Sequence, residues 1–547
     1  MAPPNEKLAA SLAQLRELQK DGGRVFESKN LARVHRERLL KNGFLRQVIQ
    51  GWLISTGPDV DKGDTAPWYA SFWEFCSRYC DRRFGTNWNL SPEQSLMLHA
   101  ENNVIPTQVV VYAPKGTNNA RPLLFGTSIY DLKQNKKQVP TPADITIKDG
   151  LRLFSPAASL VRVPEAFFAR SPAEAQIALT SIRDASEVLS RLLDGGHSAI
   201  ASRLAGALRR IGRPGLADDV VKTMKAAGYE VRESDPFAPQ QALALLKPGT
   251  APAVGRILAM WNSARAHVLE FAPPAPGLPT SKDTYLNFVD EIYKSDAYHS
   301  LSIEGYTVTS ELIERVRSGH WDPERNKTDH ESLNALAARG YWEAFQIVKD
   351  SVARLLDGAQ PGRLARDAHR DWFRALFQPA VAVGHVRPGA LAGYREHPIY
   401  IKGSRHVPPR WESVPDAMTT LFDLLENESE PFVRAVLGHW LLGYIHPFFD
   451  GNGRIARFLM NAMLASGGYP WTVIRVDDRA DYMRGLEEAS VEGNVRPFAN
   501  FIADRLHGSL ATTLEAASAP VRRERTAASQ VTPVKPSKRR SLKRKTA

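Results

Sequence analysis

The second half of the chain is organised around one stretch, His446-Pro447-Phe448-Phe449-Asp450-Gly451-Asn452-Gly453-Arg454-Ile455-Ala456-Arg457. Two apolar segments flank its loop, Phe432–Ile445 and Ile455–Leu464, and their patterns indicate two buried helices. The stretch therefore predicts a loop that opens at a helix N-terminus. Free backbone N–H groups and the positive end of the helix dipole make such a position suitable for an anion.

The polar residues of this loop suit a phosphate chain. Gly451 and Gly453 let backbone N–H groups approach a phosphate closely, and Asn452 can hold a positive φ between them and donate its amide. Arg454 and Arg457 are three residues apart on a first helical turn, so both guanidiniums project to one side. There they can clamp successive phosphates.

Two further residues add chemistry to the phosphate site. His446 is the only residue in the loop that accepts a proton near neutral pH, and Asp450 offers the hard oxygen that Mg²⁺ prefers. A base, a metal ligand and a phosphate nest together indicate phosphoryl or nucleotidyl transfer. The plain alternative is a turn with an Asp cap. It explains the residues from Asp450 to Gly453 but leaves His446 and both arginines without a role.

The stretch resembles the Fic motif, His-x-Phe-x-(Asp/Glu)-Gly-Asn-Gly-Arg-x-x-Arg, with every defining position filled. The resemblance covers about residues 281–506 and implies transfer of AMP from ATP to a Ser, Thr or Tyr hydroxyl of a target protein, with Mg²⁺ as cofactor. The resemblance implies that His446 deprotonates the hydroxyl, that Phe448 anchors the loop and that Asp450 binds Mg²⁺. It further implies an anion nest formed by Gly451, Asn452 and Gly453. Arg454 would hold the phosphate chain, and Arg457 would reach the γ-phosphate.

A second segment resembles the inhibitory motif of the same family, Ser300-Leu301-Ser302-Ile303-Glu304-Gly305. The pattern before it predicts an amphipathic helix over Asp283–Ile303, and Gly305 suits the position after a helix end. The resemblance implies that Glu304 pairs with Arg457 and occupies the place of the γ-phosphate. A helix-terminal Glu without consequence is the alternative.

The resemblance also implies a β-hairpin flap, Tyr394–Pro409, that clamps the target by strand addition through Ile401, Lys402 and Gly403. An ordinary surface hairpin is the alternative. Tyr482 is the expected contact for the adenine of ATP. Many relatives have two adjacent aromatic residues there, and an Asn eight residues further along. This chain has Met483 after Tyr482, and Ser490 in place of the Asn, so the identity of the transferred nucleotide stays open.

Residues 1–56 predict a winged helix-turn-helix, with Ser28 as the N-cap of a helix over Lys29–Leu40. This region contains ten Lys or Arg residues and five Asp or Glu residues. The basic residues that cluster in one segment, as phosphate contacts to DNA would require, are Arg33, Arg36, Arg38 and Lys41. A solvated basic helix in a protein–protein module is the alternative.

The rest of the chain divides by composition. We expect an α/β region at 57–165 with strands at Gln108–Tyr112 and Leu123–Phe125, a helical region at 166–270, a Pro-rich linker at 271–280, connecting helices to 363, and a helical Fic core at 364–506. The fold class expected is thus mainly α. The order of the first 235 or so residues resembles AbiEi-type antitoxin and regulator proteins.

That second resemblance keeps two alternatives open. The chain could be a DNA-binding regulator whose Fic half only senses a ligand, although a sensor would not require His446. The same site could also run in reverse and remove AMP, with Glu304 positioning a water molecule.

Bulk composition excludes several classes of protein. The chain has 547 residues, 43% of them hydrophobic, with no long apolar run and no secretory leader, so we expect a cytoplasmic protein without a membrane contact. Cys76 and Cys80 are expected to serve packing in a reduced compartment. Nine of the twelve net positive charges fall in 521–547, a tail expected to be disordered that attracts nucleic acid or only aids solubility.

Overall fold

The computed structural model describes residues 4–61, 63–135, 139–239, 242–244, 246–320 and 332–518, so the predicted basic tail lies outside the described residues. Within them the fold is mainly helical, with three small sheets, which confirms the expected class. No helix in the described ranges is both long and apolar enough to cross a membrane.

The first region is a small α/β unit. Its elements are α1 Pro4–Leu18, β1 Val25–Glu27, α2 Arg33–Lys41, β2 Leu45–Ile49 and β3 Trp52–Ser55, with the antiparallel strand order β1-β3-β2. The predicted cap at Ser28 is wrong, because Ser28–Asn30 is a single 3₁₀ turn and α2 begins five residues after Ser28. Leu31 is buried in an extended conformation between the two and interrupts the helix. The winged-helix assignment stays a prediction.

The α/β region surrounds one aromatic helix. Its elements are α3 Ala66–Phe84, β4 Asn89–Leu90, α4 Pro92–His99, β5 Gln108–Ala113, β6 Asn119–Pro122, β7 Ser128–Lys133, β8 Ile145–Lys148 and β9 Leu151–Phe154. The main sheet has the order β4-β5-β7-β6, with β5 and β7 parallel, and β8 pairs with β9. The strand predicted at Leu123–Phe125 is wrong: Phe125 has a φ of 51°, which ends an extended chain.

Both cysteines lie inside α3. Cys76 and Cys80 are free and fully buried, and burial raises the pKa of each thiol above its usual range. Such thiols stay protonated at neutral pH and act as apolar packing groups.

The helical region follows the α/β region in the chain. It consists of α5 Pro156–Arg162, α6 Ala166–Arg170, α7 Pro172–Ser181, α8 Ser186–Gly195, α9 Ser198–Arg210 and α10 Pro214–Ala226. Helix α11, Pro252–Leu269, then packs into the apolar core of the second half. The domain boundaries themselves stay predictions.

A buried ion pair joins the helical region to the second half. The Arg256 guanidinium on α11 donates to Glu174 of α7 at 2.6 Å and to the hydroxyl of Tyr444 at 2.6 Å. Asn102 of the α/β region also donates to Glu174, at 2.8 Å. Glu174 and Arg256 are less than a tenth exposed, so the charges compensate each other away from water.

The second half is a helical assembly. Its helices are α12 Lys282–Ile303, α13 Ser310–Arg317, α14 Leu333–Leu356, α15 Pro361–Ala382, α16 Val414–Asn427, α17 Pro431–Ile445, α18 Asn452–Ala465, α19 Arg479–Glu487 and α20 Arg496–Ser518. Helices α17 and α18 are buried on nearly every face. Because nearly all of their surface is covered by other helices, they form the centre of the core, and the motif loop between them is held from both ends.

The flap has a different secondary structure from the one predicted. Residues 394–409 form turns and irregular backbone without paired strands, so the β-hairpin is wrong. Pro398, Pro408 and Pro409 have no N–H to donate to a ladder. Tyr400 and Val407 pack instead against the aromatic core of the α/β region.

Candidate functional site

Helix ends shape the motif loop. His446 ends α17 in the left-handed conformation, at φ 51°, and its N–H donates to the Leu442 carbonyl at 2.9 Å. Gly451 takes a φ of 79° immediately before α18. Helix α18 begins at Asn452, so Asn452 and Gly453 belong to its first turn. The prediction that Asn452 holds a positive φ is therefore wrong.

The Asn452 side chain closes the loop on itself. Its Oδ1 accepts from the Phe448 N–H at 2.9 Å, and its Nδ2 donates to the Phe448 carbonyl at 2.9 Å. Phe448 is fully buried and stacks on Phe373, with ring centroids 4.1 Å apart. Such a stack contributes about 0.5–1.5 kcal/mol beyond the burial of area. The amide of Asn452 thus positions the loop and is already used.

The ring of His446 is set for proton uptake. Its Nδ1 lies 3.1 Å from the Gly443 carbonyl, which can only accept, so Nδ1 carries the hydrogen and Nε2 keeps a lone pair. Burial lowers the pKa of His446, so the ring is neutral at pH 7. A neutral imidazole with a free Nε2 is the form that a general base requires.

Arg395, for which no role was predicted, connects the flap to the motif loop by hydrogen bonds. Its Nε donates to the His446 carbonyl at 2.8 Å, while Nη1 and Nη2 donate to His397 at 3.0 Å and Pro409 at 2.5 Å. Its own N–H donates to the Pro447 carbonyl at 2.8 Å. Burial lowers its pKa to about 10. In the sequence, Arg395 stands at the start of a proline-rich segment. Prolines donate no backbone hydrogen bonds, so the carbonyls of such a segment need other donors, and a nearby arginine is a candidate.

The two motif arginines are buried with spare donors. Arg454 lies between the rings of Tyr306 and Phe377, at 5.3 and 5.1 Å. Its Nε and Nη2, and Nη1 of Arg457, have no hydrogen-bond partner among the residues that the structure describes, although Nη2 of Arg454 forms an ion pair with Asp450 at 3.5 Å. Buried guanidinium nitrogens without acceptors are costly unless an anion completes them.

Glu304 lies against the N-terminus of α18. Its Oε1 accepts from Nη2 of Arg457 at 2.7 Å, so the predicted ion pair is present. A β-carbon placed on Gly453 would meet this oxygen at 2.3 Å. Burial alone would raise the pKa of Glu304, but Arg457 and Arg454 outweigh burial and hold the pKa below its ordinary value. The carboxylate is thus charged, and it lies where a phosphate oxygen would approach the helix.

The helix that carries Glu304 is held by the same arginine. Nε of Arg457 donates to the hydroxyl of Ser300 at 2.9 Å, and Nη2 donates to the Ser300 carbonyl at 3.1 Å. Gly305 follows with a φ of 90°, and its N–H donates to the Ser302 carbonyl at 3.0 Å. The end of α12 and the first turn of α18 are therefore joined through Arg457.

Other predicted site residues lie in different surroundings. Asp450 is half exposed at the loop mouth, and one of its oxygens accepts from the Gly451 N–H at 2.5 Å. Tyr482 is buried, with its hydroxyl 2.8 Å from Nε2 of His439, so it lines no open surface. Lys402 and Gly403 of the flap contact the α/β region, through Asp61 at 2.7 Å and Thr65 at 3.0 Å.

Comparisons with known proteins find similarities in the part of the chain that holds this site. Residues 363–464 match the sequence profile of the Fic/DOC family. A protein of Nematostella vectensis named Protein adenylyltransferase Fic is 34% identical over 238 residues, which are 43% of this chain and 50% of the relative. A protein of the same name from Drosophila willistoni is 33% identical over 218 residues, 39% of this chain and 40% of that relative. The chain spans about half the length or less of these curated relatives.

One solved structure, titled Fic-1 (aa134 - 508) from C. elegans, aligns over 65% of this chain and 99% of its own, at 20% identity and a TM-score of 0.36. The family profile covers the loop and both motif arginines. Residues 363–464 are thus similar to the Fic/DOC family, and His446, Arg454 and Arg457 lie inside the matched segment.

Proposed function

We propose that the chain is a protein adenylyltransferase that moves AMP from ATP to a Ser, Thr or Tyr hydroxyl of a target protein and is restrained by Glu304. The observation that carries this proposal is a pair of buried guanidiniums whose hydrogen-bonding capacity is not filled. Arg454 and Arg457 are each at most 3% exposed. Glu304 contacts Arg457 at 2.7 Å, and the half-exposed Asp450 lies 3.5 Å from Arg454. The spare guanidinium nitrogens and the α18 N-terminus call for a polyanion such as a triphosphate.

The chemistry follows from the ring of His446. The target hydroxyl gives its proton to Nε2, its oxygen bonds to the α-phosphorus, and the bond from that phosphorus to the β-phosphate oxygen breaks. Pyrophosphate leaves with the electron pair. Arg454 and the backbone N–H groups of α18 would stabilise the charge that develops on the phosphate oxygens.

Asp450 fits a magnesium ion that is held mainly by a nucleotide. No three acidic, histidine or cysteine side chains converge as a metal site in the described ranges, so the protein would supply one carboxylate. Mg²⁺ bound with substrate phosphates often takes only one or two protein carboxylates and keeps several waters. Asp450 is half exposed at the loop mouth, close to where those phosphates would lie. Bound there, the ion would neutralise phosphate charge.

Glu304 supports the restraint in the proposal. Its carboxylate occupies the face of Gly453 and pairs with Arg457, so a γ-phosphate would meet a negative charge and lose its cation. ATP would then bind with its α-phosphorus out of line with the attacking hydroxyl, and about 1 Å of misplacement can cost on the order of 10²-fold in rate.

The reverse reaction and a sensor role are distinguished by one experiment. The purified chain is incubated with Mg-ATP, and mass spectrometry looks for AMP on the chain itself and on added proteins. We expect AMP to be incorporated by the Glu304→Gly variant and lost in the Glu304→Gly/His446→Ala double variant. Release of AMP from a modified protein by wild type would support removal, and nucleotide binding without either reaction would support a sensor.

A further inference from the structure

The flap is held from behind by the α/β region. The Ile105 N–H donates to the Arg405 carbonyl at 2.8 Å, and Thr65 accepts from the Gly403 N–H at 3.0 Å. Arg410 forms an ion pair with Asp149. Since the flap has no strand pairing of its own, these contacts fix its course.

A cavity of about 420 Å³ remains between the flap and the α/β region. Aromatic rings and aliphatic side chains form part of its walls, among them Tyr69, Trp73, Ile105 and Trp411, and charged side chains such as Lys148 and Glu412 also line it. A concave space of this size that combines apolar walls with polar groups is typical of ligand sites. Trp411 is 38% exposed, so its ring is accessible to a ligand.

A groove that includes a residue of the motif loop shares two wall residues with the cavity. This groove, of about 640 Å³, is lined by residues 387–399 and by Phe449. Pro398 and Ile399 line both spaces. Phe449 follows Phe448 in the motif and is 37% exposed. An extended polypeptide in the groove would therefore run past Pro398 and Ile399, which also line the cavity.

We infer that the α/β region forms part of the target-binding site, and that the cavity takes one aromatic or long aliphatic side chain of the target segment beside the modified residue. This inference rests on the proposed function for the reaction, whereas the side-chain pocket can be tested without it. The first half of the chain would then select targets, and the Fic domain would modify them. Filling such a pocket removes its apolar contacts with the substrate. One methylene group of the substrate in such a pocket changes the preference between two substrates by about 10-fold or more.

The first test measures binding alone. Titrations of N-acetyl-leucinamide, N-acetyl-tryptophanamide and N-acetyl-alaninamide are followed by saturation-transfer NMR on the full chain. We expect the first two to bind saturably and the alanine compound at least about 10-fold more weakly. Ala70→Phe, which fills the cavity from the half-buried Ala70 on α3, should abolish this binding. Ala10→Phe, at an exposed position of α1, is the matched control and should retain it.

The second test links the pocket to the reaction. The Glu304→Gly chain is given labelled ATP and short peptides with a central Thr in an alanine background, each with one Leu or Trp at a different position. We expect one position to raise kcat/KM at least about 10-fold over alanine. Ala70→Phe or Trp411→Ala should remove that preference, whereas Ala10→Phe should keep it. Thermal melting confirms that both variants are folded.

Three outcomes would overturn the inference: absence of saturable binding, binding that survives Ala70→Phe, or a peptide preference that both variants keep. The absence of any peptide product while the chain modifies itself would also count against it. A complete lack of AMP incorporation contradicts the proposed function instead, and the binding titrations then decide on the pocket alone.

Discussion

The Glu304 carboxylate lies where a side chain on Gly453 would begin, with only 2.3 Å between Oε1 and the position of a β-carbon. Arg457 is 2.7 Å from the same oxygen. The proposed restraint and the proposed phosphate site would therefore share one volume and exclude each other by space as well as by charge.

Glu304→Gly is expected to increase AMP incorporation strongly and to produce self-modification, because Arg457 becomes free to bind the γ-phosphate. Glu304 is at a helix end, where Gly costs at most about 1 kcal/mol, so the fold should tolerate the change. Incorporation is measured with labelled ATP. Arg457→Ala is the matched control: it also breaks the ion pair but removes the clamp, so it should show no gain. Equal incorporation by wild type and Glu304→Gly would contradict the restraint.

His446→Ala, made in the Glu304→Gly background, is expected to lower the transfer rate by about 10²–10⁴-fold while ATP binding is nearly unchanged. The reason is that Nε2 takes the proton of the hydroxyl but holds no phosphate. Calorimetric titration with Mg-ATP and single-turnover rates separate the two effects. Asp450→Ala should weaken Mg-ATP binding instead. A His446→Ala variant with full activity would remove the enzyme interpretation.

Gly453→Ala tests the shared volume through stability. In wild type the new methyl group must displace the Glu304 carboxylate, at a cost of about 1–3 kcal/mol. In the Glu304→Gly background this collision is absent, and the cost should vanish because Ala favours helices. Urea unfolding of wild type, Gly453→Ala, Glu304→Gly and the double variant gives the coupling free energy between the two positions. Equal costs in both backgrounds would show that Glu304 does not lie against Gly453 in solution.

The pH profile of the Glu304→Gly variant should be flat at neutral pH and should fall only below about 6.5, the ordinary pKa of histidine. Burial lowers the pKa of His446, so its base form persists to lower pH than usual. In wild type the restraint should survive over the same range. The pKa of Glu304 is lowered, so its ion pair is complete above the ordinary carboxyl pKa of about 4.3 and is lost as pH falls through the lower folded value. Activation of wild type near pH 6 would contradict this assignment.

DNA binding by the first region is expected to be weak and to fall as salt rises. Arg36 donates to the Ser28 carbonyl at 2.9 Å, Arg38 donates to Ser11 at 2.7 Å, and Arg33 pairs with Glu37 at 2.6 Å. Lys41→Glu should therefore weaken binding more than Arg38→Ala does. Gel retardation with a chain shortened before Val521 measures this without the basic tail. No retardation of any duplex at low salt would exclude the regulator interpretation.

Local patterns predicted the motif well and the flap poorly. The loop between α17 and α18 follows from residue types at fixed spacing, and the pairing of Glu304 with Arg457 follows from the resemblance to the inhibitory motif. The flap was predicted as a hairpin from the family resemblance, although its backbone is satisfied by Arg395 and by contacts with residues far away in sequence. A single sequence does not reveal which distant residues supply such contacts. The role of Asn452 was misplaced because helix α18 begins one turn earlier than its apolar pattern.

The contact of Arg256 with Glu174 and Tyr444 also bears on how this protein can be rearranged. Arg256 pairs with Glu174 of the first half and also donates to Tyr444, which lies two residues before His446. The contact between the halves is therefore close in sequence to the proposed base. Separating the halves would leave a buried charge without its partner, at a cost of about 3–5 kcal/mol. The first half is therefore not a module that could be exchanged with that of another protein, and a graft would have to carry Arg256 and its acceptors together.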